Sequence, residues 1–172
     1  MSISLADYIH AVPDFPKPGI LFRDISPLLA SPVAFSAAID QLAAHALDLG
    51  VSALVAIESR GFIFGAPVAV RAGLPLALVR KPGKLPGATE RIEYGLEYGS
   101  DSLEIKVGAL AVGSRVAIID DVLATGGTAA ATASLIQLAG GVVVGCIFLA
   151  ELRALGGRGK LGDIQVRALL DF

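Results

Sequence analysis

The stretch Val116–Thr128, with the sequence VAIIDDVLATGGT, places four apolar residues before two adjacent acids and then a turn of threonine and glycine. The apolar run predicts a buried strand, and the Ala-rich residues after Thr128 predict a helix. Asp120 and Asp121 then fall at the carboxyl end of a strand. In open parallel sheets, ligands bind beyond these strand ends.

The turn itself has the chemistry of an anion site. Backbone N–H groups and two hydroxyls converge there on the N-terminus of the predicted helix, where the helix dipole adds partial positive charge. Glycine lets phosphate oxygens approach the backbone closely. The two carboxylates would repel a phosphate in contact with them, but they accept hydrogen bonds from paired hydroxyls. The pattern therefore favours a sugar 5-phosphate, with its phosphate on Ala124, Thr125, Gly126, Gly127 and Thr128 and its diol on the acids.

An apolar strand followed by two acids has other interpretations. The magnesium-holding strand of a nucleoside triphosphatase requires a G-x-x-x-x-G-K-[ST] loop, and a dinucleotide site requires G-x-G-x-x-G after a strand. The sequence contains neither motif. The acids could also be helix caps, but one acid serves a cap, and two are costly at a buried strand end.

Strands and helices alternate along the rest of the chain. Every predicted strand is apolar on both faces, which indicates an α/β protein with a central parallel sheet flanked by helices. Residues 80–100 differ, because two prolines, four glycines and mixed charge predict at most short strands. The predicted strands are residues 51–57, 74–79, 115–119, 142–149 and 164–170, and the predicted helices are residues 32–49, 62–72 and 128–139.

Length and charge narrow the class of protein. The 172 residues predict one domain, residues 1–172. A net charge of -2 argues against a nucleic-acid partner, because sequence-independent polyanion binding needs a basic surface. His10 and His45 are assigned no function, since no metal-binding cluster surrounds either.

Hydropathy and cysteine content bear on location. Mean hydropathy is +0.70, and residues 122–150 carry no charge. Threonine and glycine divide that uncharged stretch into a turn, a helix and a strand, so we predict a sheet interior and not a membrane span. Cys146 has no partner for an internal disulfide, and the first residues lack the pattern of an export signal. We expect a cytoplasmic protein.

Five segments in order resemble the type I phosphoribosyltransferases, and among them the enzymes that use adenine. The stretch Val116–Thr128 is similar to their phosphoribosyl pyrophosphate (PRPP) motif. The other segments match the same family in order and approximate spacing. They are FPKPGILFRDISPLL, ESRGFIFGAPVA, VRKPGKLPG and LEYGSDSLEI, which begin at Phe15, Glu58, Val79 and Leu96.

The resemblance implies a fold and a reaction. The fold is that of type I phosphoribosyltransferases, with a small N-terminal hood at about residues 1–30 and a flexible lid loop at about residues 80–100. The reaction transfers a 5-phosphoribosyl group from PRPP to N9 of adenine, giving AMP and pyrophosphate. Mg²⁺ is the cofactor and is carried by PRPP, so no metal ligand is assigned on the protein. Members of the family are typically homodimers.

Resemblance also assigns roles to residues. Asp120 and Asp121 bind the ribose hydroxyls and the turn binds the 5-phosphate, in agreement with the direct interpretation. Glu97 is the candidate catalytic acid/base. The residues assigned to the pyrophosphate side are Ser59, Arg60, Gly61, Lys81 and Lys84, and Tyr98 is assigned to PRPP or AMP without a side. Those assigned to the adenine ring are Leu21, Phe22, Arg23 and Leu152.

Simpler interpretations of these residues stay open. Arg60 could form a surface ion pair, residues 80–100 could be a solvated hairpin without a role, and Glu97 could be a solvated charge. Two other functions also stay open. One is a related transferase that uses xanthine, hypoxanthine or guanine, and the other is a non-catalytic protein that senses PRPP.

Overall fold

A seven-stranded sheet forms the centre of the fold in the computed structural model, which describes residues 3–95 and 100–172. Five strands run parallel, as predicted, and two antiparallel strands extend one edge. In sheet order the strands are β5 (Thr89–Gly95), β6 (Ser100–Lys106), β4 (Leu76–Arg80), β3 (Ala53–Ile57), β7 (Arg115–Leu123), β8 (Val142–Glu151) and β9 (Gln165–Asp171).

Helices cover both faces of this sheet. The predicted helices are found as α2 (Pro32–Asp48), α3 (Gly61–Ala72) and α4 (Gly127–Leu138). The Ser31 hydroxyl caps α2 by accepting the Ala34 N–H at 3.3 Å. Side chains of α2 and α3, such as Leu42 and Phe64, pack on one face of the sheet, and side chains of α4, such as Leu135, pack on the other. The central strands are buried on both sides, which is why they are continuously apolar.

Residues 80–100 contain more regular structure than predicted. Strands β5 and β6 are seven residues each and pair along their full length. Burial alternates along β5, because one face of an edge strand meets solvent. Charged residues on that outer face gave this segment the composition of a loop.

The N-terminal region predicted as a hood contains a hairpin. Strands β1 (His10–Pro13) and β2 (Leu21–Asp24) form a separate two-stranded antiparallel sheet, followed by the short helix α1 (Ser26–Ala30). Phe15 and Phe22 pack edge to face in this hairpin, with ring centroids 5.1 Å apart. Within the described residues, none of the helices combines the length and apolarity that crossing a bilayer requires.

Candidate active site

The acid pair lies near the carboxyl end of β7, between β3 and β8. The Asp121 N–H donates a hydrogen bond to Asp120 Oδ1 at 2.9 Å. Burial, and next the negative charge of Asp121, raises the pKa of Asp120 well above its ordinary value. Because only one of two such close, buried carboxyls ionises easily, the pair can both donate and accept hydrogen bonds.

Arg60 joins this pair from the neighbouring strand end. Its Nε lies 2.7 Å from Asp121 Oδ2, and the Asp121 side chain is 5% exposed. The contact is ionic but lacks hydrogen-bond geometry, and within the described part of the chain this oxygen has no hydrogen-bond donor. This oxygen is enclosed by the protein, so the Arg60 guanidinium, and not solvent, compensates its charge.

The predicted phosphate turn is held in the required shape by glycine. Gly126 has φ +80°, a left-handed conformation that non-glycine residues adopt only with strain, and α4 begins at the next residue. The turn and the acids enclose a cavity of about 140 Å³. Its lining consists of Arg60, residues 120–129 and Phe148.

A C-terminal turn that sequence reasoning missed supports the phosphate turn. A Cβ on Gly126 would lie 2.3 Å from the Gly157 carbonyl oxygen, and a Cβ on Gly157 would lie 2.3 Å from the Ala124 carbonyl oxygen. Arg158 fixes this turn by donating to both carboxylate oxygens of the buried Glu151 at 2.8 Å. The adjacent glycines in LGGRGKL were the available signal, but their contact spans about thirty residues of sequence.

The loop between β3 and α3 carries Ser59, Arg60 and Gly61, the residues assigned to pyrophosphate. Gly61 allows the start of α3 to lie close to β7. A Cβ at this position would lie 2.9 Å from Asp120 Oδ1 and 3.0 Å from the Ile119 carbonyl oxygen. The interpretation of Arg60 as a surface ion pair is partly correct, since it does form one. Its partner, however, is the buried acid of the site.

Glu58, which the sequence analysis passed over, organises the start of the 80–100 segment. Its Oε1 accepts from Arg80 at 3.0 Å and from the Lys84 ammonium at 2.8 Å, and its Oε2 accepts the Lys81 N–H at 2.9 Å. Hydrogen bonding from Arg80, followed in effect by Lys84, lowers the pKa of Glu58 to about 2. Lys84 is therefore held by an internal carboxylate. The position of the charged Glu58 directly after a fully apolar strand was the feature of the sequence that could have indicated its importance.

A second cavity, of about 550 Å³, lies between the β3–α3 loop and the β5–β6 hairpin. Lys81 reaches it from the end of β4, Tyr94 and Asp101 reach it from the hairpin, and Thr128 reaches it from the phosphate turn. The complete lining is Ile57, Glu58, Ser59, Arg60, Lys81, Tyr94, Asp101, Leu103, Asp120, Asp121 and Thr128. The 80–100 segment thus borders the same cavity as the acid pair, and is not a hairpin remote from it.

A third cavity, of about 190 Å³, brings together all four residues assigned to the adenine ring. Leu21, Phe22 and Arg23 come from β2, and Leu152 follows β8. Its remaining lining residues are Ile20, Arg60, Val122 and Ala124. Arg60 borders this cavity and the other two, so the three form one connected arrangement around its side chain. Glu97 and Tyr98 lie outside the described residues.

The fold that carries this site is shared with solved proteins of one family. The model of the phosphoribosyl transferase domain matches residues 29–165. The chain therefore belongs to the phosphoribosyl transferase family.

Within this family, the similar proteins are adenine phosphoribosyltransferases. One from Synechococcus sp. (strain CC9902) is 55% identical over 172 residues, covering 99% of this chain and 98% of the relative. A crystal structure from Thermoanaerobacter pseudethanolicus has a TM-score of 0.94 at 48% identity, covering 98% of this chain and 100% of the other. A third, from Saccharomyces cerevisiae, was solved with adenine and an imino-altritol bisphosphate; its TM-score is 0.90 at 40% identity, with 94% of each chain covered.

Proposed function

We propose that the protein transfers the 5-phosphoribosyl group of PRPP to N9 of adenine, giving AMP and pyrophosphate in purine salvage. One observation carries the proposal. Three cavities meet at Arg60, one lined by the glycine turn, one by acids and bases, and one mainly by apolar side chains. These linings suit a phosphate, a ribosyl diphosphate and a purine ring, respectively.

PRPP binds through its two charged ends and its diol. The turn from Ala124 to Thr128 holds the 5-phosphate, and Asp120 and Asp121 accept the ribose hydroxyls. Support for the second role comes from the position of both acids, which line the cavity of the glycine turn and the cavity beside it. The pyrophosphate end is held by Ser59, Arg60, Gly61, Lys81 and Lys84, and Tyr98 is a further residue that binds PRPP or AMP. For Lys84 and Tyr98 the assignment rests on the family resemblance.

The reaction is a displacement at the anomeric carbon. A bond forms between adenine N9 and C1 of the ribose while the bond from C1 to a pyrophosphate oxygen breaks, and the N9 proton passes to Glu97. The sugar becomes cation-like, and the leaving pyrophosphate gains charge that Arg60 and Lys81 stabilise. Residues 80–100 form a lid that keeps water from replacing adenine.

Adenine is selected in the third cavity. Leu21 and Leu152 contact the ring, and backbone groups of Leu21, Phe22 and Arg23 read its edge. A backbone acceptor opposite the 6-amino group rejects a 6-oxo purine, because two facing oxygens leave the acceptor unpaired.

Mg²⁺ enters as part of the PRPP substrate. Four acids and two bases line the second cavity, namely Glu58, Asp101, Asp120 and Asp121 with Arg60 and Lys81. A bare diphosphate would add negative charge to an acidic lining, so a divalent cation on the diphosphate offsets the repulsion. In the parts of the chain that the structure describes, no three His, Cys, Asp or Glu side chains are grouped to hold a metal.

We further propose that residues 1–172 form one cytoplasmic domain, with the hood at about 1–30, and that two copies form a homodimer. Exposed apolar side chains on α2 and α3 support an interface, including Val33 at 66% and Val70 at 85% exposure. Light scattering at micromolar protein should give twice the monomer mass; the monomer mass would contradict the dimer.

Product formation from PRPP with magnesium and each purine base tests the reaction. We expect AMP from adenine and little product from guanine, hypoxanthine or xanthine. Conversion of guanine but not adenine would overturn the base assignment, and PRPP binding without turnover would favour the sensor.

Substitution of Glu97 tests the proton acceptor separately. E97Q should lower kcat by about 10²-fold or more and change PRPP affinity little, because general base catalysis contributes in that range. E93Q, an exposed position on β5, is the matched control and should retain kcat. Equal turnover in E97Q and wild type would remove Glu97 from this role.

A further inference from the structure

Lys81, one of the proposed pyrophosphate ligands, is already bound by an acid of the chain itself. Its ammonium forms an ion pair with Asp101 Oδ2, across the cavity that β4 and the β5–β6 hairpin share. Both side chains line this cavity, in which the diphosphate of PRPP is proposed to bind. The Asp101 carboxylate therefore pairs with an ammonium group that is proposed to bind the substrate.

The contacts of Asp101 allow it to release Lys81 at low cost. Its Oδ1 accepts the Ser102 N–H at 2.8 Å, and its Oδ2 also accepts the Tyr94 hydroxyl at 3.3 Å. The carboxylate keeps both of these donors when the ammonium leaves, so no orphaned acceptor results. Lys81 is 42% exposed, and ion pairs with such exposure are weak.

The same contacts lead from Asp101 to the phosphate turn. The Tyr94 oxygen lies 3.3 Å from Thr128 Oγ1. A tyrosine hydroxyl that donates to Asp101 can accept from Thr128, so the threonine hydroxyl is also satisfied within the chain. Two proposed PRPP ligands, Lys81 and Thr128, are thus joined through Tyr94 and Asp101.

We infer that Asp101 is a positioning residue. Before substrate binds, its carboxylate pairs with the Lys81 ammonium, and it releases this ammonium when the substrate diphosphate binds. The inference rests on the proposed function of the second cavity. Binding of the diphosphate is then an exchange of one anion for another on Lys81. Because Lys81 must first leave Asp101, the protein binds pyrophosphate less tightly than it would with an unpaired Lys81. This lower affinity favours release of the product.

Calorimetric titration of the full chain with magnesium pyrophosphate tests the inference by the sign of the effect. D101N should bind pyrophosphate about three- to fivefold more tightly than wild type, a factor typical of losing one partly exposed ion pair. Asparagine retains its oxygen for the Ser102 N–H, and its NH2 group can donate to the Tyr94 hydroxyl, which accepts as well as donates. A merely structural role would leave affinity unchanged or weaken it.

Further variants make the test specific to Lys81. D163N removes one negative charge at an exposed position outside the lining of this cavity, and should leave pyrophosphate affinity unchanged. In a K81M background, D101N should lose most of its gain. If D101N does not fold, D101S provides the same comparison.

The outcomes separate this inference from the proposed function. Tight binding by wild type together with unchanged or weaker binding by D101N would overturn the role of Asp101 and leave the reaction standing. No pyrophosphate binding by wild type would overturn the proposed function of the cavity itself. An equal gain in the presence and absence of Lys81 would show simple charge repulsion and also overturn the exchange.

Discussion

Arg60 Nε lies 2.7 Å from Asp121 Oδ2, and the two partners differ sharply in exposure, 47% against 5% for their side chains. The acid is buried within the site, while the guanidinium extends into the three cavities around it. Arg60 therefore compensates a buried charge, and we propose that it also presents donors to an anionic substrate.

Loss of Arg60 should affect both stability and binding. R60A leaves Asp121 without its ionic partner, so we expect the free energy of unfolding to fall by about 1–2 kcal/mol, discounted for the exposed arginine. PRPP affinity should fall by about tenfold or more, since a charge-assisted contact is lost. Urea denaturation and calorimetry measure the two effects.

R71A is the matched control for R60A. Arg71 Nε lies 3.0 Å from Asp40 Oδ1, but both partners are more than half exposed and lie on α3 and α2. R71A should change neither quantity appreciably. Equal effects of the two variants would contradict the special role of Arg60.

Protonation of the acid pair should make stability depend on pH. The folded protein raises the pKa of Asp120 above 3.8, so it holds the proton more tightly than the unfolded chain does. This contribution to stability is present at low pH and is lost as pH rises from about 3.8 through the folded pKa. D120N, which cannot ionise, should therefore gain Tm relative to wild type as pH rises from 4 to 8. A Tm difference independent of pH would refute this.

Close packing at Gly126 should make it intolerant of a side chain. G126A places a Cβ 2.3 Å from the Gly157 carbonyl oxygen at a φ of +80°. The left-handed backbone alone costs about 1–2 kcal/mol, and displacing Gly157 adds to this. Urea denaturation and PRPP titration should both show the loss. G159A is the control, because nothing lies within 4 Å of a Cβ there; similar losses in both variants would argue against the contact.

Leu152 should affect adenine and not PRPP. L152A removes apolar contact from the third cavity, so kcat/KM for adenine should fall by about 10- to 100-fold, the range for shortening an apolar contact. Kd for PRPP should stay within twofold, since Leu152 lines the third cavity and neither of the other two. L155A, a half-exposed leucine in the next turn, is the control. An unchanged kcat/KM for adenine in L152A would remove this residue from the ring site.

The features that the sequence predicted are those encoded over short distances. Ser31 and Pro32 mark the start of α2, and the run before Asp120 marks a buried strand, because caps and apolar periodicity are local. Family resemblance added the grouping of Leu21 with Leu152, which lie far apart in the chain but share one cavity. The roles of these residues in binding remain predictions.

What the sequence did not predict depends on contacts between distant segments. The role of Glu58 depends on Arg80, which β4 places beside it, and the role of Asp101 depends on its contact with Lys81. Both contacts form only in the folded chain. Strand β5 was not predicted, because charged residues alternate along it on its outer face and give the segment the composition of a loop. Gly157 is recognisable only once its carbonyl is seen against Gly126.

The contact between Gly157 and Gly126 also has a consequence for biosynthesis. A ribosome delivers the glycine turn about thirty residues before it delivers the segment that packs against it. A nascent polypeptide ending near Gly140 would contain nearly every group proposed to contact PRPP. It would lack Gly157 and its neighbours, against which the glycine turn packs. Competence to bind nucleotide should therefore arise late in translation, once residues 156–160 have left the exit tunnel.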